Sequence, residues 1–275
     1  VLNIPPSIMG LADPVAVFDA GIGSYALVDL IRRNQPRRDI IYFADRARFP
    51  YGAKSRDELM SIMRATITYL TGLGAGAVVL ASNAPSIMVL DELKREFDVP
   101  VYGVAPPVRE ALAASRSGEI AIMGVRSMIE SAELKAFVRA NVPAPEKVAL
   151  INASPMVELV ESGAFLSRPE TTTAEVADFC RSIAEAHPAV DTLTLSSTHL
   201  PWLRSFFEKA RPDWQFLDPA DDVVAAFPAA QGGSGRTVAL VTESSTYTVA
   251  GFRDMLEKLG IELPLTVVEP AIAGS

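Results

Sequence analysis

Val15-Ala-Val-Phe-Asp19-Ala-Gly21-Ile-Gly23-Ser-Tyr-Ala26 decides the fold. Four apolar residues run into an aspartate and two spaced glycines, and a helical pattern follows. A short apolar run rich in β-branched types and bounded by turn residues reads as a strand buried on both faces. Ile40–Phe43, Ala77–Leu80 and Val101–Val104 read the same way, with helical patterns at Arg56–Leu73 and Ile87–Phe97 between them. Further on, strands at Ile120–Met123, Val148–Ile151, Thr192–Leu195 and Gln215–Leu217 alternate with helices at Ser127–Ala140, Thr173–Ala186 and Leu203–Ala210. Such alternation predicts an α/β protein built on parallel sheet with helices on both faces.

The opening motif has a faint echo. Val15-Ala-Val-Phe-Asp-Ala-Gly resembles Ile120-Ala-Ile-Met-Gly-Val, and Ala77-Val-Val-Leu-Ala-Ser-Asn resembles Thr192-Leu-Thr-Leu-Ser-Ser-Thr. Two similar lobes facing each other would bring four strand ends to one cleft, and open parallel sheets bind ligands at those ends. The expected lobes are 1–103 plus 214–275, and 104–213. The last strand–helix–strand set, Val238–Val241, Tyr247–Leu259 and Leu265–Val268, follows a flexible-looking linker, Gln231-Gly-Gly-Ser-Gly235. It is too short for a core of its own, so it should extend an existing sheet.

Of the 275 residues, 49% are hydrophobic and 21% charged, enough for one large domain or two modest ones. The net charge of −8 argues against nucleic acid or an anionic membrane surface as partner. No apolar run approaches the length that spans a bilayer. The segment before Asp13 has no basic, signal-like start and reads as a loose arm. Cys180 is the sole cysteine, which rules out an internal disulfide and fits a cytoplasmic protein. No Cys or His cluster has metal-ligand spacing, so no metal is expected.

Four segments could carry chemistry. Gly21, Gly23 and Ala26, with Asp45 beyond the next strand, match a loose dinucleotide fingerprint, though a tight strand–helix turn gives the same pattern. Free N–H groups at that helix start would favour an anion. Asp19 is either a turn or cap residue or an acid, base or ammonium ligand. The polar, aromatic loop from Asp45 to Ser55 contains Pro50-Tyr51-Gly52 and is either functional or a rigid turn. Ser82-Asn83-Ala84-Pro85 and Ser196-Ser197-Thr198-His199 each follow a buried strand, where serine and threonine commonly cap a helix.

Taken in order, these motifs resemble the glutamate racemase family. The opening Asp19-Ala20-Gly21-Ile22-Gly23-Ser24 is similar to its Asp-Ser-Gly-x-Gly-Gly. Tyr42-Phe-Ala-Asp45 through Phe49-Pro-Tyr-Gly-Ala-Lys-Ser55 matches nearly residue for residue. Val104-Ala-Pro-Pro107 matches its domain-crossing segment, and Leu159-Val-Glu161-Ser-Gly163 its Leu-Val-Glu-x-Gly. The resemblance runs from about Val15 to about Glu269. It implies racemisation of an acidic amino acid by two cysteines on opposite faces of the substrate, with no cofactor, in the service of cell-wall peptidoglycan synthesis. By that resemblance Ser82 and Ser197 occupy the cysteine positions, and Asp19 and His199 assist them. Ala20, Pro50, Tyr51, Gly52, Asn83, Ala84, Glu161 and Thr198 fall at substrate-binding positions. A homodimer is compatible with the resemblance, but no residue fixes its surface.

The departures cluster at these motifs. Both cysteines are serine, the family's hydroxyls are replaced at Ala20, Ala84, Val125 and Met128, and Ser196 stands where a glycine precedes the second cysteine. A thiol titrates near 8.5, whereas a serine hydroxyl is weak unless a base activates it. The expected ligand is therefore a small acidic amino acid or carboxylate, with two-thiol racemisation very weak or absent. Two alternatives stay open. One is an enzyme using serine for decarboxylation or hydrolysis of another small carboxylate. The other is a non-catalytic binding or regulatory protein.

Overall fold

The computed structural model describes residues 5–228 and 232–270. Among the described residues, ten strands make two parallel sheets. They are β1 (Val15–Asp19), β2 (Ile40–Ala44), β3 (Ala77–Leu80), β4 (Val101–Gly103), β5 (Ile120–Gly124), β6 (Val148–Asn152), β7 (Thr192–Leu195), β8 (Gln215–Leu217), β9 (Thr237–Val241) and β10 (Leu265–Val267). The first sheet runs β10-β9-β2-β1-β3-β4 and the second β6-β5-β7-β8. Every pairing is parallel. All five residues of β1, β2 and β5 are buried, as strands covered on both faces must be.

The echo in the sequence is an echo in topology. β2-β1-β3-β4 and β6-β5-β7-β8 are the same strand order, with β5 standing for β1 and β7 for β3. Val15 pairs with Ala77 as Ile120 pairs with Thr192. In such an order the chain leaves the first strand to one side and returns on the other. A crevice therefore opens between the carboxyl ends of β1 and β3, and of β5 and β7.

Several expectations change in detail. Gln215–Leu217 pairs with β7, so the return to the first sheet falls after residue 217 and not at 214. β9 and β10 do extend the first sheet. The expected helix at Ile87–Phe97 is two, Asn83–Met88 and Leu90–Glu96, and that at Ser127–Ala140 is Arg126–Glu130 followed by Ala132–Asn141. In the latter, Ser131 accepts the Leu134 N–H and starts a new helix. The leading segment is not wholly loose, since Pro6–Ile8 forms a turn and Ile8 packs into the first core. Gln231 of the expected linker lies outside the described residues. Cys180 is buried in the helix Pro169–Ala186. Among the described residues no helix is long and apolar enough to cross a membrane.

Candidate active site

The two crevices face each other across a cavity of about 520 Å³. From the first sheet, Asp19 at the end of β1 lines it, as do Ser82, Asn83 and Ala84 after β3. The loop after β2 contributes Pro50, Tyr51 and Gly52. From the second, Ser197, Thr198 and His199 after β7 close the opposite side. Asp45, the acid of the dinucleotide pattern, is fully buried and accepts hydrogen bonds from Tyr51 Oη at 2.9 Å and Thr242 Oγ1 at 3.0 Å. It anchors the loop and does not face a ribose.

Neither serine caps a helix. Ser82 occupies the N-cap position of Asn83–Met88 without a capping bond, and its hydroxyl stands close enough to the Asp19 carboxyl to favour the ionised form. Ser197 Oγ lies 3.4 Å from His199 Nδ1. Each hydroxyl therefore has a titratable group of its own. The two sides are tied together by Thr198 Oγ1, which donates to Asp19 Oδ2 at 3.2 Å.

Burial pushes the Asp19 carboxyl up to about 6, although the His199 charge, the Ala20 N–H and Ser82 pull the other way. The folded protein thus holds a proton between pH 3.8 and about 6 that the unfolded chain has released. In that window stability falls as pH rises, by on the order of 3 kcal/mol in total. Asp19→Asn is expected to remove this falling limb and to raise stability at pH 7 by up to about that amount. Urea midpoints at pH 4, 5, 6 and 7 check it. A variant that kept the limb, or was less stable than the parent at pH 7, would contradict the assignment.

Ala20 and Glu161, two of the expected substrate-binding residues, are not among those that line the cavity. Ala20 is buried behind it. Glu161 lies behind His199, with Oε1 2.7 Å from His199 Nε2 and accepting the Ile22 N–H at 2.7 Å. Its Oε2 accepts from Arg46 Nη1 at 3.0 Å. Burial pushes the Glu161 carboxyl up, but the His199 bond and charge, Arg46 and the Ile22 N–H outweigh it and hold it at about 2. Glycines 21 and 23 belong to this arrangement. A Cβ on Gly21 would lie 2.5 Å from His199 Nε2 and 2.6 Å from Glu161 Oε1, and one on Gly23 would meet the backbone of Thr198 and His199 at 2.6 Å. These glycines let the second lobe close onto the β1 turn, a different use from cradling a phosphate.

Comparison with known proteins agrees with this fold. The Asp/Glu/hydantoin racemase family matches residues 26–227. The chain is 32% identical over 271 residues to a glutamate racemase of Roseiflexus sp., covering 95% of this chain and 96% of that one. The chain belongs to this racemase family. It is also 32% identical over 191 residues to the glutamate racemase of Deinococcus radiodurans, spanning 69% of this chain and 64% of the relative. The glutamate racemase of Thermus thermophilus, solved in complex with β-chloro-D-alanine, superposes with a TM-score of 0.75 at 28% identity, covering 93% of this chain and 96% of that one.

Within the family frame, the cavity contains groups that sequence reading missed. Arg126, two residues past the end of β5, is an exposed cation on the wall, near the acidic residues Glu130 and Glu158. Phe49, Ser154 and Tyr247 also line it. Position after a strand end was a usable signal for Arg126, since Ser82 and Ser197 share it. Asn83 donates from Nδ2 to the Val104 carbonyl at 3.1 Å, while its buried Oδ1 has no partner among the described residues. No group of His, Cys, Asp or Glu among the described residues could hold a metal ion.

Proposed function

We propose that this protein binds a small acidic amino acid or related carboxylate in the interlobe cavity, without a cofactor and in the cytoplasm. Ser82 and Ser197 stand where the family carries its catalytic cysteines, so ordinary two-thiol racemisation is very weak or absent. The observation that carries the reading is that both hydroxyls line one cavity, each beside a titratable group, with no thiol between them. Removing a proton from carbon requires a base whose pKa is near the working pH. A thiol can meet that condition and a serine hydroxyl does not. Ligand recognition has separate support. The unpartnered Asn83 Oδ1 can accept from an ammonium group, and Arg126 supplies a cation for a carboxylate.

The test is exchange of the α-proton of L- and D-glutamate in deuterium oxide, followed by proton NMR. The expected rate does not exceed that of a protein-free control. Exchange detects one-sided proton transfer as well as inversion, so rapid loss of the α-signal from both isomers would end the inactive reading. The binding half is read by thermal shift, because a ligand that binds only the folded state raises the midpoint. L-glutamate, D-glutamate and other small carboxylates form the panel. A midpoint unmoved by every member would remove the ligand class.

A further inference from the structure

We infer that Ser197 is a nucleophile, activated by His199 and Glu161, and that it accepts the acyl group of a small ester. Glu161 accepts from Arg46 on Oε2 and from the Ile22 N–H on Oε1, so it faces His199 Nε2 at 2.7 Å as a carboxylate oxygen. In the neutral ring that assigns the hydrogen to Nε2 and leaves the Nδ1 lone pair for Ser197 Oγ, 3.4 Å away. Nucleophile, base and orienting carboxylate then stand in the order that activates a serine in unrelated enzymes, with the ring turned so that Nδ1 faces the hydroxyl. Hydrogen bonds of this kind tighten when a substrate binds. A hydroxyl that is a poor base toward carbon is a competent nucleophile toward a carbonyl once its proton has somewhere to go.

The step balances. Ser197 Oγ bonds to the acyl carbon as the bond from that carbon to the leaving oxygen breaks. The hydroxyl proton passes to His199 Nδ1 and on to the leaving alcohol. Water then adds to the acyl carbon and gives its proton to Nδ1. Oγ departs and takes that proton back, releasing a small carboxylic acid. This inference does not depend on glutamate as ligand.

The full chain is treated with phenylmethylsulfonyl fluoride, and separately with p-nitrophenyl acetate, then mapped by peptide mass spectrometry. The expected result is an adduct on Ser197 formed at least about 100-fold faster than on the exposed Ser117 of the same molecules, with a stoichiometric burst of p-nitrophenolate. His199→Gln is expected to slow Ser197 labelling by about 100-fold or more, with folding confirmed by its thermal midpoint. Labelling of Ser197 no faster than Ser117, or unchanged in a folded His199→Gln, would overturn the inference. The Ser117 reference is internal to the parent protein, so the comparison survives a variant that fails to fold. Rapid labelling without any carboxylate-induced midpoint rise would sink the proposed ligand and keep the nucleophile. A midpoint rise with Ser197 unlabelled would do the reverse.

Discussion

Ser82→Cys combined with Ser197→Cys is expected to exchange the α-proton of glutamate at least about four decades faster than the parent, with up to about eight available. The figure follows from two positioned acid–base groups at about 10²–10⁴-fold each. The auxiliary groups are already in place. Asp19 neighbours the side chain at position 82, and His199 Nδ1 faces the side chain at position 197. A thiol introduced at either position meets a neighbour able to take its proton. The two positions approach the cavity from different sheets, after β3 and after β7. Each single variant should therefore exchange one enantiomer in preference to the other, and the double variant both. Initial rates with each isomer, for both singles and the double, read this directly. A double variant that is folded yet inert toward both isomers would show that the thiols are not the missing element. The fault would then lie in ligand positioning, with the apolar Ala84 and Val125 on the wall the first suspects.

Legibility in the sequence followed burial. Strands such as Val15–Asp19 and Ala77–Leu80 announce themselves because a parallel strand is apolar on both faces, and their ends locate Asp19, Ser82 and Ser197 without any tertiary knowledge. What stays hidden is which sheet a short strand joins. Gln215–Leu217 has the same local pattern whether it pairs with β7 or elsewhere, because hydrophobic periodicity carries no partner information. Helix breaks hide for a related reason. The apolar spacing runs on through Ser131, and only the capping bond to Leu134 shows that a new helix starts there. Arg46 and Glu161 illustrate the limit for charged residues. The resemblance gives Glu161 a substrate-binding position and local sequence gives Arg46 no partner, and only the closing of the second lobe over the β1 turn makes them a buried pair.

Glu161→Ala is expected to destabilise the protein by about 3–5 kcal/mol at pH 7, the range for removing one partner of a buried ion pair. Glu161 and Arg46 side chains are only 4% and 5% exposed. Arg46 sits with its guanidinium 5.1–5.3 Å from the rings of Phe49, Tyr247 and Phe252, and its Nε has no partner among the described residues. Without Glu161 its guanidinium keeps the bond to the Ala20 carbonyl, at 2.9 Å, and the charge loses its carboxylate partner. The Ile22 N–H loses its acceptor as well. Adding Arg46→Met should restore part of the loss, because the uncompensated charge leaves with the side chain. The pH dependence has a definite sign. The folded Glu161 carboxyl is depressed to about 2 from 4.5, so its stabilisation is full above pH 4.5 and is lost as pH falls toward 2. Urea unfolding of the parent and of Glu161→Gln should therefore give a gap that is widest near neutral pH and narrows between pH 4.5 and 2.5. A gap that stays constant to pH 2.5 would mean that Glu161 acts by shape alone. An Arg46→Met that worsens the Glu161→Ala variant would mean that the guanidinium is held by its aromatic neighbours and not by the carboxylate.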